Sequence, residues 1–168
     1  MVSNGRLRLD FVCVHNAGRS QIAAAFAERE RAERGLEGVV EIHSGGTDPA
    51  ETVHAEVVRT MDEVGIDIGS ETPTHVADLD QLRESDYLIT MGCYISEFNP
   101  ARYGVESLEW DLTNPDGRDR ETVRGVRDET ETRVETLFDE VERRAEKERA
   151  STDSSGGIVA ALRDTLSI

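Results

Sequence analysis

Apolar residues in this chain fall into short runs and longer stripes, with turn-forming residues between them. Leu7 to Val14 is a short apolar stretch of strand length, and the segment from Ser20 to Arg34 sets Ile22, Ala23, Phe26 and Ala27 on one helical face before Gly35 stops it. Val39 to His43 is a second strand candidate, ended by a loop at Gly45-Gly46 and Pro49. A second helix covers about Val53 to Val64, with Val57, Val58 and Met61 as its buried stripe and Gly65 as its terminator. Tyr87 to Met91 and Ser107 to Leu112 follow as further strands. From Glu121 to about Arg149, the positions Val123, Val126, Thr130, Val134, Leu137, Phe138, Val141 and Ala145 keep three-to-four spacing, which predicts one long amphipathic helix. Strands that alternate with helices predict an α/β domain over residues 1–149, a three-layer arrangement with a parallel sheet and helices on both faces. Ligands are then expected at the carboxyl ends of the strands. Residues 150–168 differ: Ser151 to Gly157 has linker composition, and Ile158, Val159, Leu162 and Leu166 make a short amphipathic extension that can dock on the domain or on another subunit.

Composition narrows the class. A length of 168 residues suits one domain, and no run approaches the 18 or so apolar residues of a membrane span. Met1 to Asp10 holds two arginines but no apolar segment with a cleavage site behind them, so a cytoplasmic location is expected, away from membranes. The net charge of −16 argues against nucleic acid as a partner, since that binding draws its strength from Lys and Arg on phosphates. Of the 19 basic residues only Lys147 is a lysine, and the carboxylates are spread along the chain, a pattern that predicts a halophilic protein. At molar salt the Debye length is about 3 Å, so such a surface hardly repels itself.

Candidate chemistry concentrates in Cys13-Val14-His15-Asn16-Ala17-Gly18-Arg19-Ser20, between the first strand and the first helix. A five-residue loop running into a helix start can aim several backbone N–H groups at one tetrahedral oxyanion, so Val14, His15, Asn16, Ala17, Gly18 and Arg19 are the expected oxyanion-binding residues. Arg19 adds a planar, charged fork for two of the anion's oxygens. The same positive field favours a thiolate at Cys13, and a hydrogen bond from Ser20 favours it further. Asn16 or Gly18 is placed to take the unusual backbone angles of the loop. The alternative for Cys13 is an ordinary buried cysteine at a strand end. His15 is expected to shape the loop. No metal site is expected, because His15, His43, His54 and His75 never approach ligand spacing and the two cysteines lie far apart; the histidines read as structural or surface residues, and no cofactor is implied.

At these residues the sequence resembles the low-molecular-weight protein tyrosine phosphatase superfamily, and more closely its arsenate reductase branch. The likeness runs from about Leu7 to Ala145 and includes Ser44-Gly45-Gly46-Thr47, Glu63-Val64-Gly65-Ile66-Asp67, Thr90-Met91-Gly92-Cys93 and Val126-Arg127-Asp128-Glu129. The His15-to-Gln21 wording, His-Asn-Ala-Gly-Arg-Ser-Gln, favours the reductases. The resemblance implies a four-stranded parallel sheet flanked by helices, Cys13 as nucleophile, Arg19 as oxyanion clamp, Asn16 and Ser20 as loop organisers, and Cys93 as the resolving thiol. A buried core thiol is the other reading of Cys93. Two departures stand out. Where thioredoxin-coupled reductases carry a further cysteine before a proline, this chain has Asn99-Pro100, so the partner that recycles the enzyme is either a low-molecular-weight thiol or a thioredoxin-like protein. Where the family has an Asp-Pro pair whose acid protonates the leaving group, this chain has Asn114-Pro115; Asp111 and Asp116 are the nearest candidates to replace it. Arsenate reduction is therefore the leading function. Phosphomonoester hydrolysis through a phosphocysteine is the alternative, and a non-catalytic module that binds phosphate or arsenate is a second one.

Overall fold

In the computed structural model the backbone is described for residues 5–165 and side chains for residues 5–151. The first strand, β1 (Leu7–Cys13), leads into helix α1 (Arg19–Glu33), and β2 (Val40–Gly46) into α2 (Ala55–Asp62). A four-residue helix α3 (Leu79–Leu82) precedes β3 (Tyr87–Thr90); a 3₁₀ turn at Pro100–Tyr103 precedes β4 (Glu106–Glu109), and α4 runs from Arg120 to Thr165. The four strands form one sheet in the order β2-β1-β3-β4, parallel throughout.

Alternation along the central strands divides the interior. Leu7, Leu9, Phe11 and Cys13 of β1 and Tyr87 and Ile89 of β3 share one cluster with Ile22, Ala23, Phe26 and Ala27 of α1, Val57 and Met61 of α2, and every predicted stripe residue of α4 except the polar Thr130. Val12 and Leu88 point the other way and pack with Leu82, Val105 and the half-buried Val76, Ala77 and Leu79. The expected three-layer arrangement with helices on both faces is what the chain adopts. Arg8 and Asp10 also lie on the second face. They are buried side by side at 2.9 Å, and Asp10 accepts a further bond from the Ser85 hydroxyl, so neither charge is left without a partner.

Helices α1 and α2 end where the sequence indicates. Leu36 N–H reaches back to the Arg31 carbonyl at 2.8 Å past Gly35, and Ile66 N–H to the Met61 carbonyl at 3.1 Å past Gly65. Other boundaries move. Gly45 and Gly46, expected in a loop, complete β2, because β1 continues to Cys13 and pairs with Gly46. Helix α3 is too short to show a period; Asp78 caps it by accepting from Gln81 N–H at 2.9 Å. The last strand is Glu106–Glu109, not Ser107 to Leu112. Trp110 and Leu112, the apolar residues that suggested the longer strand, follow it and turn into the core, where Trp110 stacks at a tilt on Phe11 with ring centroids 5.9 Å apart. Helix α4 does not stop near Arg149; its backbone continues through Ser151 to Gly157, the stretch with linker composition. The docking expected of Ile158, Val159, Leu162 and Leu166 concerns side chains outside the described residues.

Candidate active site

The segment Val14 to Gly18 links the carboxyl end of β1 to the head of α1. Its carbonyls are drawn away from the loop's interior by one neighbouring segment: Thr47 N–H donates to the Cys13 carbonyl (3.1 Å), Asp48 to Val14 (2.8 Å), Ala50 to His15 (2.9 Å) and His54 to Ala17 (2.9 Å). With the carbonyls tied back, the amides face the other way. Among the described residues those of His15, Ala17 and Gly18 have no protein acceptor, and the head of α1 adds its partial positive charge beside them. The close approach has a steric condition: a Cβ on Gly46 would stand 2.5 Å from the Val14 carbonyl oxygen and 2.9 Å from Asn16 N.

Cys13 lies at the base of this loop, 2% exposed. Its Sγ is 2.8 Å from Ser20 Oγ and accepts the Asn16 N–H at 3.2 Å. Asn16 is the organiser. It is wholly buried with φ at +51°, its Nδ2 donates to Ser20 Oγ at 2.7 Å, and its Oδ1 accepts from Gln21 Nε2 at 3.1 Å and from Thr74 N–H at 3.0 Å. Because Asn16 supplies the Ser20 hydroxyl with a donor, that hydroxyl is free to give its own proton to the sulfur. The Asn16 amide, grouped by sequence with the oxyanion donors, is directed at the sulfur instead. His15 holds the loop to its neighbour through Nδ1 and the Asp48 carbonyl, 2.9 Å apart.

Arg19 is half-buried; its Nη1 donates to the Leu112 carbonyl at 3.3 Å. Gly92, with φ at +70°, makes room for this guanidinium, since a Cβ there would collide with Nη1. The next residue, Cys93, is half-buried and free, like Cys13. Its Sγ lies 3.5 Å from the Val12 carbonyl, one residue from Cys13, but it packs with the second apolar cluster while Cys13 belongs to the first. Burial pushes the Cys93 thiol up, and the neighbouring Cys13 adds to that; a backbone hydrogen bond at Met91 and the Arg19 charge pull it partly back. At neutral pH Cys93 is a protonated thiol.

The opposite rim is formed by 114–116. Asn114 is exposed, and its Oδ1 accepts Asp116 N–H at 3.1 Å. Asp116 Oδ1 stands 3.7 Å from Nδ1 of His54. Asp111 is exposed. Sequence reasoning missed Gln21, Thr74 and His54 as parts of this site. Thr74 reaches Asn16 across 58 positions and leaves no local signal, whereas Gln21 lies directly after Ser20 in the motif. Among the described residues no group of three or more His, Cys, Asp or Glu side chains could hold a metal ion.

Residues 8–147 match the model of the low molecular weight phosphotyrosine protein phosphatase family. A protein of Halobacterium salinarum that carries the provisional name arsenate reductase is 48% identical over 140 residues, which is 83% of this chain and 96% of that one. The glutaredoxin arsenate reductase of Synechocystis is 32% identical over 131 residues, covering 76% of this chain and 93% of its own. Among solved structures, the thioredoxin-dependent arsenate reductase of Corynebacterium glutamicum superposes with a TM-score of 0.65 at 32% identity, over 84% of this chain but only 64% of that one. An arsenate reductase from Archaeoglobus fulgidus gives a TM-score of 0.61 at 30% identity, over 77% of this chain and 97% of that one. With its fold, its loop and these likenesses in agreement, the chain belongs to the low molecular weight phosphotyrosine protein phosphatase family.

Proposed function

We propose that this chain is a thiol-dependent arsenate reductase in which Cys13 is the nucleophile and Cys93 the resolving thiol. One observation carries the reading: a sulfur held by the Asn16 N–H and the Ser20 hydroxyl lies at the base of a loop whose Val14, His15 and Ala17 carbonyls are tied back, with a second thiol just past the neighbouring strand end. Arsenate sits on the amides of the loop and on Arg19, which also clamps two of its oxygens. Cys13 sulfur attacks arsenic and an oxygen leaves as water, so arsenic stays pentavalent. Cys93, once deprotonated, then attacks the Cys13 sulfur; the sulfur–arsenic bond breaks, its electron pair goes to arsenic, and arsenite departs as the disulfide forms. That bond requires Cα atoms within about 7 Å, reached directly or by a movement of the loop that carries Cys93 away from the second cluster. An outside thiol, either a small molecule or a thioredoxin-like protein, restores the two thiols. The names of the relatives, one glutaredoxin-linked and one thioredoxin-dependent, support a protein reductant.

Phosphomonoester hydrolysis uses the same loop, and the family's description keeps it in view. Asn114 weighs against it, because a phenolate leaving group with a pKa of about 10 needs a proton. So does Asp116-Gly117-Arg118, directly after Pro115, which offers no aromatic ring to stack on a phosphotyrosine. The setting we propose is a salt-rich cytoplasm, supported by the charge of −16 and by the Halobacterium relative. The catalytic unit is residues 1–149, supported by a family match that ends at 147. A competition assay in molar KCl with a thiol present tests the function. Arsenite formation should exceed p-nitrophenol release from p-nitrophenyl phosphate, and Cys13→Ser should lose both; an ester hydrolysis that outpaces arsenite formation would reverse the ranking.

A further inference from the structure

The first displacement at Cys13 has to expel an oxygen, which leaves far more readily as water or an alcohol than as an anion. Asn114 cannot help, because an amide holds no titrating proton and its carbonyl already accepts the Asp116 N–H. His54 lies at the same rim. It is the residue before α2, its backbone N–H is bound to the Ala17 carbonyl, and its ring is a quarter exposed. The ring's Cδ2 is 3.5 Å from the point a Cβ on Gly18 would occupy, and Nε2 is the atom bonded to Cδ2. Pro115 closes on the same point at 2.8 Å, so the head of α2 and the 114–116 segment meet over the residue preceding Arg19. Nδ1, on the ring's other side, faces Asp116 at 3.7 Å, and among the described residues Nε2 has no protein partner. A carboxylate behind one ring nitrogen, with the other nitrogen unpartnered beside an anion loop, is the arrangement of an acid–base histidine.

We propose that His54, oriented by Asp116, is the acid that serves the first displacement, in the place of the missing carboxylic acid at Asn114. The inference rests on the reading of Cys13 as nucleophile. As the bond from Cys13 sulfur to arsenic forms, the bond from arsenic to one oxygen breaks, and the proton on Nε2 of the imidazolium passes to that oxygen, which leaves as water. No electrons change hands between arsenic and sulfur in this step beyond the bond pair, and the neutral imidazole regains its proton from solvent. On a phosphomonoester the same proton goes to the departing alcohol or phenol.

The test uses the full chain in molar KCl and compares His54→Ala, Asp116→Asn and the double variant His54→Ala/Asn114→Asp with the parent. In His54→Ala, arsenate reduction and phenyl phosphate hydrolysis should fall about 10²-fold. Hydrolysis of 2,4-dinitrophenyl phosphate should fall far less, because dinitrophenolate leaves unaided. Inorganic phosphate should still bind with the parent's Kd. Added imidazole should recover part of the lost rate, and Asn114→Asp should recover more. Equal losses on the two esters, or no loss on either, would overturn the proposal, as would phosphate binding that weakens in step with the rate. A parent that hydrolyses both esters but forms no arsenite would refute the reductase reading while the ester series still judges His54. A parent with neither activity would overturn both.

Discussion

Asn16 joins sequence to chemistry at the scale of the single residue. Its buried side chain satisfies Ser20, Gln21 and Thr74 at once, and its amide meets the Cys13 sulfur. Asn16→Ala leaves buried donors and an acceptor unpaired, so it should cost roughly 2 kcal/mol or more in chemical denaturation and cut arsenite formation at least tenfold. A melt and a rate equal to the parent's would remove Asn16 from this role. Gly92→Ala makes a separable prediction. The added methyl collides with Arg19 and sits at φ +70°, so phosphate should bind at least tenfold more weakly as the guanidinium is displaced. Much of this site was legible in the sequence, because Cys13, Asn16, Arg19 and Ser20 sit at fixed offsets in one loop. Thr74 and His54 were not. They reach the loop from other elements, and only the fold brings them there.

Among the elements, α4 shows what a periodic sequence can and cannot specify. Its seven apolar stripe positions and Thr130 are all buried as the spacing predicts, since burial of one stripe is what makes a long helix hold its place. Truncating the wholly buried Phe138 to Ala should cost about 3–5 kcal/mol, read as a shift in denaturation midpoint without a change in slope. Polar ties fix the helix's neighbours: Arg124 and Arg127 both reach Glu63 at the end of α2, and Arg34 of the α1 end meets Asp139 and Glu142. The Arg124 guanidinium, with Arg127 beside it, holds the Glu63 carboxyl below its ordinary range. A lowered carboxyl pKa contributes stability that is present above the unfolded value of about 4.3 and is lost as pH falls through the folded one. Glu63→Gln should therefore unfold with a shallower loss of stability on acidification below about pH 5 than the parent. An identical acid profile would dissociate Glu63 from it. The edge strand β4 was misplaced because Glu-Ser-Leu-Glu has no apolar pattern and Trp110 and Leu112, just beyond it, have one.

For the whole molecule, charge and redox state set the conditions of action. A net charge of −16 repels itself over about 10 Å at 0.1 M salt and over about 3 Å at 1 M, so the melting temperature should climb steeply between those concentrations of KCl. A flat response would refute the salt-adapted reading. None of the helices among the described residues is long and apolar enough to cross a membrane. The two thiols supply the most direct test of the account. Fully reduced protein, freed of external thiol, is mixed with arsenate in molar KCl, and arsenite and free thiols are counted per chain. The account predicts one arsenite per chain, both thiols lost together, and a Cys13–Cys93 disulfide in the peptide map. Arsenite formed with Cys93 still free, or no arsenite at all while both thiols survive, would contradict it.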